Sequence, residues 1–181
     1  MTRLDLTPFT ALQVLKFLIP SHNLIPNTSI QNRPLLIYKS CFPPDSGASA
    51  VESHLKSVGV VSPQWRYSMY PTSHFHSTSH EVLCVVKGRA LLLFGGEGNP
   101  GKVEQECKAG DVIIIPAGVA HRLLDDYGSG YEMVGSYPIG ATQWDMCYGR
   151  DGEEDKVKNI KKLSWFDNDP LYGQKGPVID A

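Results

Sequence analysis

Two stretches of the chain decide its fold: residues 74–88 read HFHSTSHEVLCVVKG, and residues 110–121 read GDVIIIPAGVAH. In the first stretch, His74 and His76 lie two residues apart, which places both imidazoles on one face of a β-strand. Polar, turn-like residues 77–79 follow, and Glu81 begins an apolar run. A hairpin at this point brings the Glu81 carboxylate back beside the two imidazoles.

The second stretch predicts a β-branched strand, a tight turn through Pro116 and Gly118, and a further apolar strand that contains His121. This pattern is typical of a buried barrel wall, where a histidine without a partner is costly because burial removes its polar atoms from water. A single buried histidine is usually a hydrogen-bonded core residue. Four side chains of ligand type in two spaced stretches instead predict a shared site.

The chemistry of these side chains points to a metal. Two histidines and a carboxylate on one side of an ion are typical of non-haem Fe(II), and the same donors suit Zn, Mn, Ni or Cu. We therefore predict one divalent metal ion, of open identity, bound by His74, His76, Glu81 and His121. Glu81 is also the candidate catalytic residue, since its carboxylate can leave the metal or accept a proton during turnover.

The rest of the chain alternates short apolar runs with Gly/Pro turns, which indicates an all-β sandwich or barrel. Residues 35–38 predict a strand, and residues 48–57 predict a short helix before Gly59. Residues 8–19 predict a short helix that leads into a strand. Residues 144–148 predict a late strand, and the charged tail from Asp151 is expected to wrap the outside.

The spacing of the two stretches resembles the two sequence motifs of the cupins. The pattern H-x-H-x4-E-x6-G runs through His74, His76, Glu81 and Gly88, and G-x5-P-x-G-x2-H runs through Gly110, Pro116, Gly118 and His121. In cupins the two histidines, the glutamate and the later histidine bind the metal, which implies that role for the four residues here. Ser68 stands where the first motif usually opens with Gly, and Asp125 stands where the second usually closes with Asn.

A wider resemblance links most of the chain to the YjlB-like cupins, through residues 25–27, 36–38, 94–96, 169–173 and 176–177. It implies a single-domain cupin over residues 1–181, with a double-stranded β-helix or jelly-roll fold. The core barrel is expected at about residues 62–148, with N-terminal strands and a short helix in residues 1–61 and a C-terminal tail in residues 149–181. The resemblance also implies a homodimer, and it leaves the reaction undefined.

Composition limits the classes of partner. A formal net charge of -2 and a pI near 6.3 give no electrostatic footprint for nucleic acid. No polybasic cluster indicates a membrane surface, and no apolar run approaches the ~18 residues of a membrane span. The four cysteines form no C-x-x-C pair, so we expect reduced thiols and a cytoplasmic protein. With nucleic acid and membrane excluded, the expected partner is a small-molecule substrate.

His80 is a lesser candidate for the site. His76 and His80 would share a helix face, but the segment is rich in Ser and Thr and leads into a β run. If Glu81 points inward on a strand, His80 points outward, and it is expected to hydrogen-bond a neighbouring carboxylate or carbonyl.

Several aromatic residues on the strands have two interpretations. Trp65, Tyr67 and Met69 alternate along one strand and either line the barrel mouth or fill the core, with the core favoured. Tyr137 and Trp144 carry the same two alternatives.

Three functions remain open at this level. The first is a metal-dependent enzyme acting on a small organic molecule, such as an O2-dependent, dioxygenase-like oxidoreductase. The second is a non-redox isomerase, lyase or decarboxylase at the same site. The third is a non-catalytic module that binds a metal or a ligand. The fold alone does not choose among them, because one barrel hosts many activities.

Overall fold

A computed structural model describes residues 4–181 of the chain, and it is built mainly of β-strands. In chain order the strands are β1 (Gln13–Phe17), β2 (Leu35–Lys39), β3 (Val61–Tyr67), β4 (Glu81–Lys87), β5 (Arg89–Phe94), β6 (Val103–Lys108), β7 (Val112–Ile115), β8 (His121–Asp125) and β9 (Glu132–Pro138). Helix α1 (Ala48–Val58) precedes β3, and a short α2 (Glu154–Asn159) with a 3-10 turn (Ile160–Lys162) follows β9. The predicted all-β class is therefore confirmed.

The strands form two antiparallel sheets. The larger sheet has six strands in the order β1-β2-β7-β4-β9-β3, and the smaller has three in the order β6-β5-β8. Leu83 and Ile113 of the larger sheet pack in one buried cluster with Leu92 and Phe94 of the smaller sheet. The two sheets therefore face each other, and their shared core is the interior of the barrel.

Strands β2, β7 and β4 in the larger sheet are buried on both faces, which explains their continuous apolar runs. In β4, Leu83 and Val85 point into the barrel, whereas Val82 and Cys84 belong to a second cluster on the outer face. Because successive side chains of a strand point to opposite faces, a strand covered on both sides needs apolar residues at every position.

The outer cluster is covered by α1 and by the C-terminal tail. Val51 and Leu55 of α1 are fully buried there, and Phe166, Leu171 and Val178 of the tail pack on the same face. The tail thus lies outside the barrel as expected, and it also contributes to a core of its own. The predicted helix before Gly59 is confirmed, and Gly59 ends it in the left-handed conformation with φ 73°.

Two predicted elements are wrong. Residues 8–19 contain no helix; residues 13–17 instead form β1, which pairs along the full length of β2. A helix of about a dozen residues is marginal on its own, whereas the free edge of β2 offers a ladder of backbone hydrogen bonds. Residues 144–148 form no regular strand, and only Cys147 makes an isolated bridge, to Phe75.

None of the helices in residues 4–181 has the length and the apolar character that crossing a membrane requires. The four cysteines are buried and unpaired.

Candidate metal centre

Three imidazoles meet inside the barrel at one end of β8. His74 and His121 form an antiparallel bridge, in which His121 N–H donates to His74 O at 2.9 Å and His74 N–H donates to His121 O at 3.2 Å. His76 lies two residues further along the same segment. One ring nitrogen from each of His74, His76 and His121 lies within 4.8 Å of the others, and all three residues are buried.

Glu81 is the first residue of β4 and points inward, on the same face as Leu83. Its Oε1 lies 3.5 Å from Nε2 of His76, and its Oε2 lies 3.3 Å from Nε2 of His121. The structure therefore brings together all four residues that the sequence singled out. Residues 77–80 reverse the chain between His76 and β4 and so bring Glu81 back beside the imidazoles. The Ser/Thr-rich composition of this segment predicts such a turn.

The backbone sets the orientation of each imidazole. In all three histidines Nδ1 lies beside a backbone carbonyl, so in the neutral imidazole Nδ1–H donates and Nε2 keeps its lone pair. The acceptors are Thr72 O at 2.9 Å for His74, Asp145 O for His76 and Val119 O at 3.0 Å for His121. Outer hydrogen bonds of this kind are typical of histidines that bind metals through Nε2.

One atom of the cluster lacks a hydrogen-bonding partner. His76 Nε2 is buried and makes no hydrogen bond within the described part of the chain. An unsatisfied buried nitrogen costs roughly 1–3 kcal/mol, so such atoms call for an explanation. A cation bound by Nε2 would supply the missing partner, and three imidazoles with one carboxylate form a donor set that fits a divalent transition metal.

The charges in the cluster are strongly coupled. Burial, followed by the nearby His121, lowers the pKa of His74 to about 3, so this imidazole is neutral. Burial also lowers the pKa of His76, but the negative charge of Glu81 outweighs burial and raises this pKa above its ordinary value. Burial raises the pKa of Glu81, yet His76 and His121 hold it well below its usual range, so the carboxylate is ionised.

Tyr137 is a member of the site that sequence reasoning left undecided. Its hydroxyl donates to Glu81 Oε1 at 2.6 Å and accepts from the Trp65 indole N–H at 3.1 Å. The register of β4 against β9 pairs Val82 with Ser136 and Leu83 with Gly135. One step further along that register places Tyr137 opposite Glu81, a relationship that only the strand pairing supplies.

The loop before Cys147 also supports the cluster. The Asp145 carboxylate accepts hydrogen bonds from the backbone N–H and the hydroxyl of Ser77, at 2.7 and 2.6 Å. The backbone carbonyl of Asp145 faces His76 Nδ1. Asp145 therefore connects two consecutive residues, His76 and Ser77, to this loop.

His80 is turned away from the metal-ligand candidates, as predicted. Its Nδ1 accepts from the Ala117 N–H at 2.9 Å, and its Nε2–H faces the carbonyl of Ser164 at 3.1 Å. Its ring contacts Trp165 and Phe166 of the tail. Burial lowers the pKa of His80 to about 4, so the imidazole is neutral. Through these contacts His80 connects the tail to the barrel.

A cavity of about 330 Å³ opens from the cluster. Trp65 and Tyr67 lie on β3, and Met69 lies just beyond its end. Met69 is buried, Trp65 is half-buried and Tyr67 is exposed, so the favoured core interpretation is wrong for Tyr67. All three line the cavity, together with Arg66, Ser68, Tyr70, His74, His76, Glu81, Leu83, His121, Met133, Tyr137, Trp144 and Met146. The site is thus an aromatic and apolar cavity with polar ligand atoms at its inner end.

The fold and the site together define a cupin. The sequence profile described as cupin matches residues 42–124. The chain is also 33% identical over 165 residues to the uncharacterized protein YjlB of Bacillus subtilis (strain 168), a match that covers 91% of this chain and 93% of that protein. The chain belongs to the cupin family, and within it to the YjlB-like group.

Several solved structures are similar to the chain. Vicilin from Solanum melongena is 22% identical with a TM-score of 0.38, covering 64% of this chain and 25% of its own. An 11S globulin from Wrightia tinctoria, described as revealing an auxin binding site, is 14% identical with a TM-score of 0.36, covering 80% of this chain and 28% of its own. An 11S allergen from Cocos nucifera is 12% identical with a TM-score of 0.37, covering 90% and 37%. This chain therefore spans well under half the length of each.

Proposed function

We propose that His74, His76, Glu81 and His121 bind one divalent metal ion and that the chain is a metal-dependent enzyme acting on a small organic molecule. The observation that supports this proposal best is the orientation of the imidazoles. Backbone carbonyls occupy every Nδ1, and the Nε2 atoms of His76 and His121 lie within 3.5 Å of the Glu81 carboxylate.

The cavity favours a catalytic role over a purely structural one. Structural metal sites are typically closed by protein ligands on all sides, whereas catalytic sites keep an open position. Here four protein donors adjoin a cavity of about 330 Å³. An octahedral ion held by these four residues would leave two positions for water, O2 or a substrate.

The protein's own groups have distinct tasks in this proposal. His74, His76 and His121 hold the ion through neutral nitrogens, and Glu81 supplies one negative charge. Tyr137 keeps the Glu81 carboxylate in place through its hydrogen bond. Leu83 and Met133 give the cavity apolar walls, so a substrate that fills it would displace water and strengthen electrostatic interactions there.

For the reaction, we propose O2-dependent oxidation of the small molecule, with the ion as Fe(II). The bound ion would supply Lewis acidity and, if it is redox-active, the means to activate O2. The test is to load the protein anaerobically with Fe(II) and then to measure O2 uptake with catechols, flavonols, diketones and thiols. No uptake with any of these compounds argues against dioxygenase chemistry.

A non-redox reaction, such as isomerisation or decarboxylation, is the second candidate. It is favoured by the Glu81–Tyr137 pair, which offers a carboxylate that can take up a proton beside the ion. Zn, Ni or Mn would then serve as well as Fe. Full turnover without O2 in the zinc-loaded protein would support this candidate.

The ligand assignment is tested separately from the reaction. His121→Ala and Glu81→Ala should each weaken metal binding by about a hundredfold or more, while the chain still unfolds cooperatively because the barrel has its own apolar core. His54→Gln is the matched control, because His54 lies outside the barrel with its Nε2 at 2.8 Å from Leu171 O. Elemental analysis and competition titration give the readout. Unchanged metal content in both ligand variants would remove the assignment.

A further inference from the structure

The walls of the cavity narrow the class of molecule that it accepts. One series of aromatic rings leads from the surface to the cluster. The rings of Tyr67 and Tyr70 lie 5.6 Å apart, and the ring of Tyr70 meets the imidazole of His74 edge-on at 5.7 Å. Tyr67 and Tyr70 are both more than half exposed, so they mark the mouth of the cavity.

A second aromatic series reaches the cluster at His76. Trp144 stacks on Tyr137 with ring centroids 4.5 Å apart and planes within 3° of parallel. The ring of Tyr137 then lies 6.0 Å from the imidazole of His76. Both series end on a candidate metal ligand. Walls made of aromatic rings favour a flat ligand, because stacked and edge-to-face rings attract each other beyond the effect of their buried area.

Charge is scarce in the cavity. Arg66 is the one arginine or lysine among the described residues that line it, and its guanidinium is committed elsewhere. Arg66 Nε and an Nη atom hydrogen-bond both carboxylate oxygens of Glu52 at 2.6 and 2.9 Å, and the same Nη contacts the Ser49 hydroxyl at 3.0 Å. An anionic substrate would therefore have to compete with Glu52 for Arg66.

The charge balance of the site follows from these contacts. A divalent ion with three neutral imidazoles and the Glu81 carboxylate leaves a net charge of plus one. A ligand with one negative charge neutralises it, whereas a dianion would leave an unpaired negative charge among apolar walls, which is costly. The Tyr137 hydroxyl and the Trp65 indole N–H do not stabilise this extra charge. The hydroxyl already donates to Glu81, and the indole N–H already donates to the hydroxyl.

We infer that the cavity takes a flat, largely apolar molecule that carries at most one negative charge and presents two neighbouring oxygen donors to the metal. This inference rests on the proposed function, since the two donors fill the two remaining metal positions. The cavity volume is at the lower end of the roughly 300–1,000 Å³ of ligand pockets, which suits one ring with short substituents.

The test uses full-length protein loaded with Zn(II) and three small chelators. Tropolone is flat and carries one negative charge, lactate is aliphatic and carries one, and malonate is aliphatic and carries two. Calorimetry gives each affinity, which is divided by the affinity of the same chelator for aqueous Zn(II). Zinc content is measured before and after, so that removal of the ion is recognised. We expect the normalised affinity of tropolone to exceed that of lactate at least tenfold, and that of malonate to fall below both.

Variants of the protein test the contribution of the aromatic walls separately from that of the Arg66 charge. Trp144→Ala and, as a second variant at the exposed mouth, Tyr70→Ala should each weaken tropolone binding about fivefold to tenfold and leave lactate unchanged. Arg66→Gln should leave all three affinities within twofold. Normalised malonate binding equal to that of tropolone, or a tenfold loss of malonate binding in Arg66→Gln, would overturn the inference while zinc remains bound. Failure of the unmodified protein to retain zinc would instead overturn the proposed function, and this inference with it.

Discussion

The Tyr137 hydroxyl donates a 2.6 Å hydrogen bond to Oε1 of Glu81, across neighbouring strands β9 and β4. Glu81 is fully enclosed, so its carboxylate has little freedom once this bond is made. The same hydroxyl accepts from Trp65, which fixes the direction of its proton toward the carboxylate. Tyr137 thus acts as a positioning residue for a candidate metal ligand.

Removing this hydroxyl should weaken metal binding without unfolding the protein. Tyr137→Phe keeps the ring and its stacking on Trp144 but leaves Glu81 without its donor. Loss of an outer partner of a ligand typically costs about 10–100-fold in metal affinity, and we expect about tenfold. Competition titration with a metal indicator is the measurement. Tyr67→Phe is the control, since Tyr67 lines the same cavity without a contact to Glu81, and equal effects in both variants would contradict the assigned role.

Three of the four ligand candidates lie in one short segment, so their proximity could be predicted from local geometry: His74 and His76 are two residues apart, and Glu81 follows one turn later. His121 lies 40 residues beyond Glu81, and it belongs to the set through the resemblance of its segment to the second cupin motif. Tyr137 could not be predicted in the same way. It is 56 residues from Glu81, and the two meet only because β4 and β9 pair in one particular register.

The same distinction explains the errors in the fold. Helix α1 follows from its own periodicity and its terminal Gly59, both of which are local signals. Strand β1 depends on the free edge of β2, and an apolar segment of that length is compatible with either helix or strand until the edge is known. The outer core between the sheet and the tail is likewise a product of tertiary packing.

A second prediction concerns the glycine beneath Trp65. Trp65 pairs with Gly135 across β3 and β9, and its indole covers the glycine so closely that an added Cβ would lie 2.0 Å from Cε2 of the ring. Gly135→Ala must therefore displace the indole and break its hydrogen bond to Tyr137. We expect a loss of about 1–3 kcal/mol in the free energy of unfolding and a changed tryptophan emission spectrum.

A double-mutant cycle checks this steric explanation. If the clash with the indole is the cause, Gly135→Ala should cost much less in a Trp65→Ala background than in the unmodified protein. Urea unfolding of the four proteins provides the free energies. Equal costs in both backgrounds would show that the alanine acts elsewhere.

The third prediction is a pH dependence of metal binding. Burial keeps the pKa of His74 at about 3, so this residue holds no competing proton. Burial lowers the pKa of His76, but the negative charge of Glu81 outweighs burial and raises this pKa. A bound metal displaces the His76 proton, so affinity should fall as the pH drops below the raised pKa, beginning above the ordinary value of about 6.5.

Zinc titrations between pH 6 and 8.5 measure this effect, with an expected loss of about tenfold in affinity per pH unit on the acid side. Glu81→Gln removes the charge that raises the pKa of His76, so the onset of the loss should move to lower pH while the overall affinity is weaker. Affinity that is independent of pH over this range would contradict the coupling of His76 to Glu81.

The last prediction concerns the C-terminal tail, which closes the outer core through Asp169. This buried carboxylate accepts from the Tyr38 hydroxyl at 2.7 Å and from the backbone N–H groups of Leu171, Tyr172 and Val178 at 2.8, 3.1 and 3.3 Å. Asp169→Ala leaves several buried donors without an acceptor, each of which costs roughly 1–3 kcal/mol. We expect the free energy of unfolding to fall by about 3 kcal/mol or more. Asp167→Ala, an exposed aspartate in the same tail, should change it by less than about 0.5 kcal/mol.

The same pair of variants separates the tail from the metal centre. Asp169 lies on the outer face of the larger sheet, whereas His74, His76, Glu81 and His121 lie at the cavity inside the barrel. At a temperature where Asp169→Ala remains folded, its affinity for zinc should therefore match that of the unmodified protein. A parallel loss of stability and of zinc affinity would mean that the tail holds the metal ligands in place, for example through the contact of Ser164 with His80.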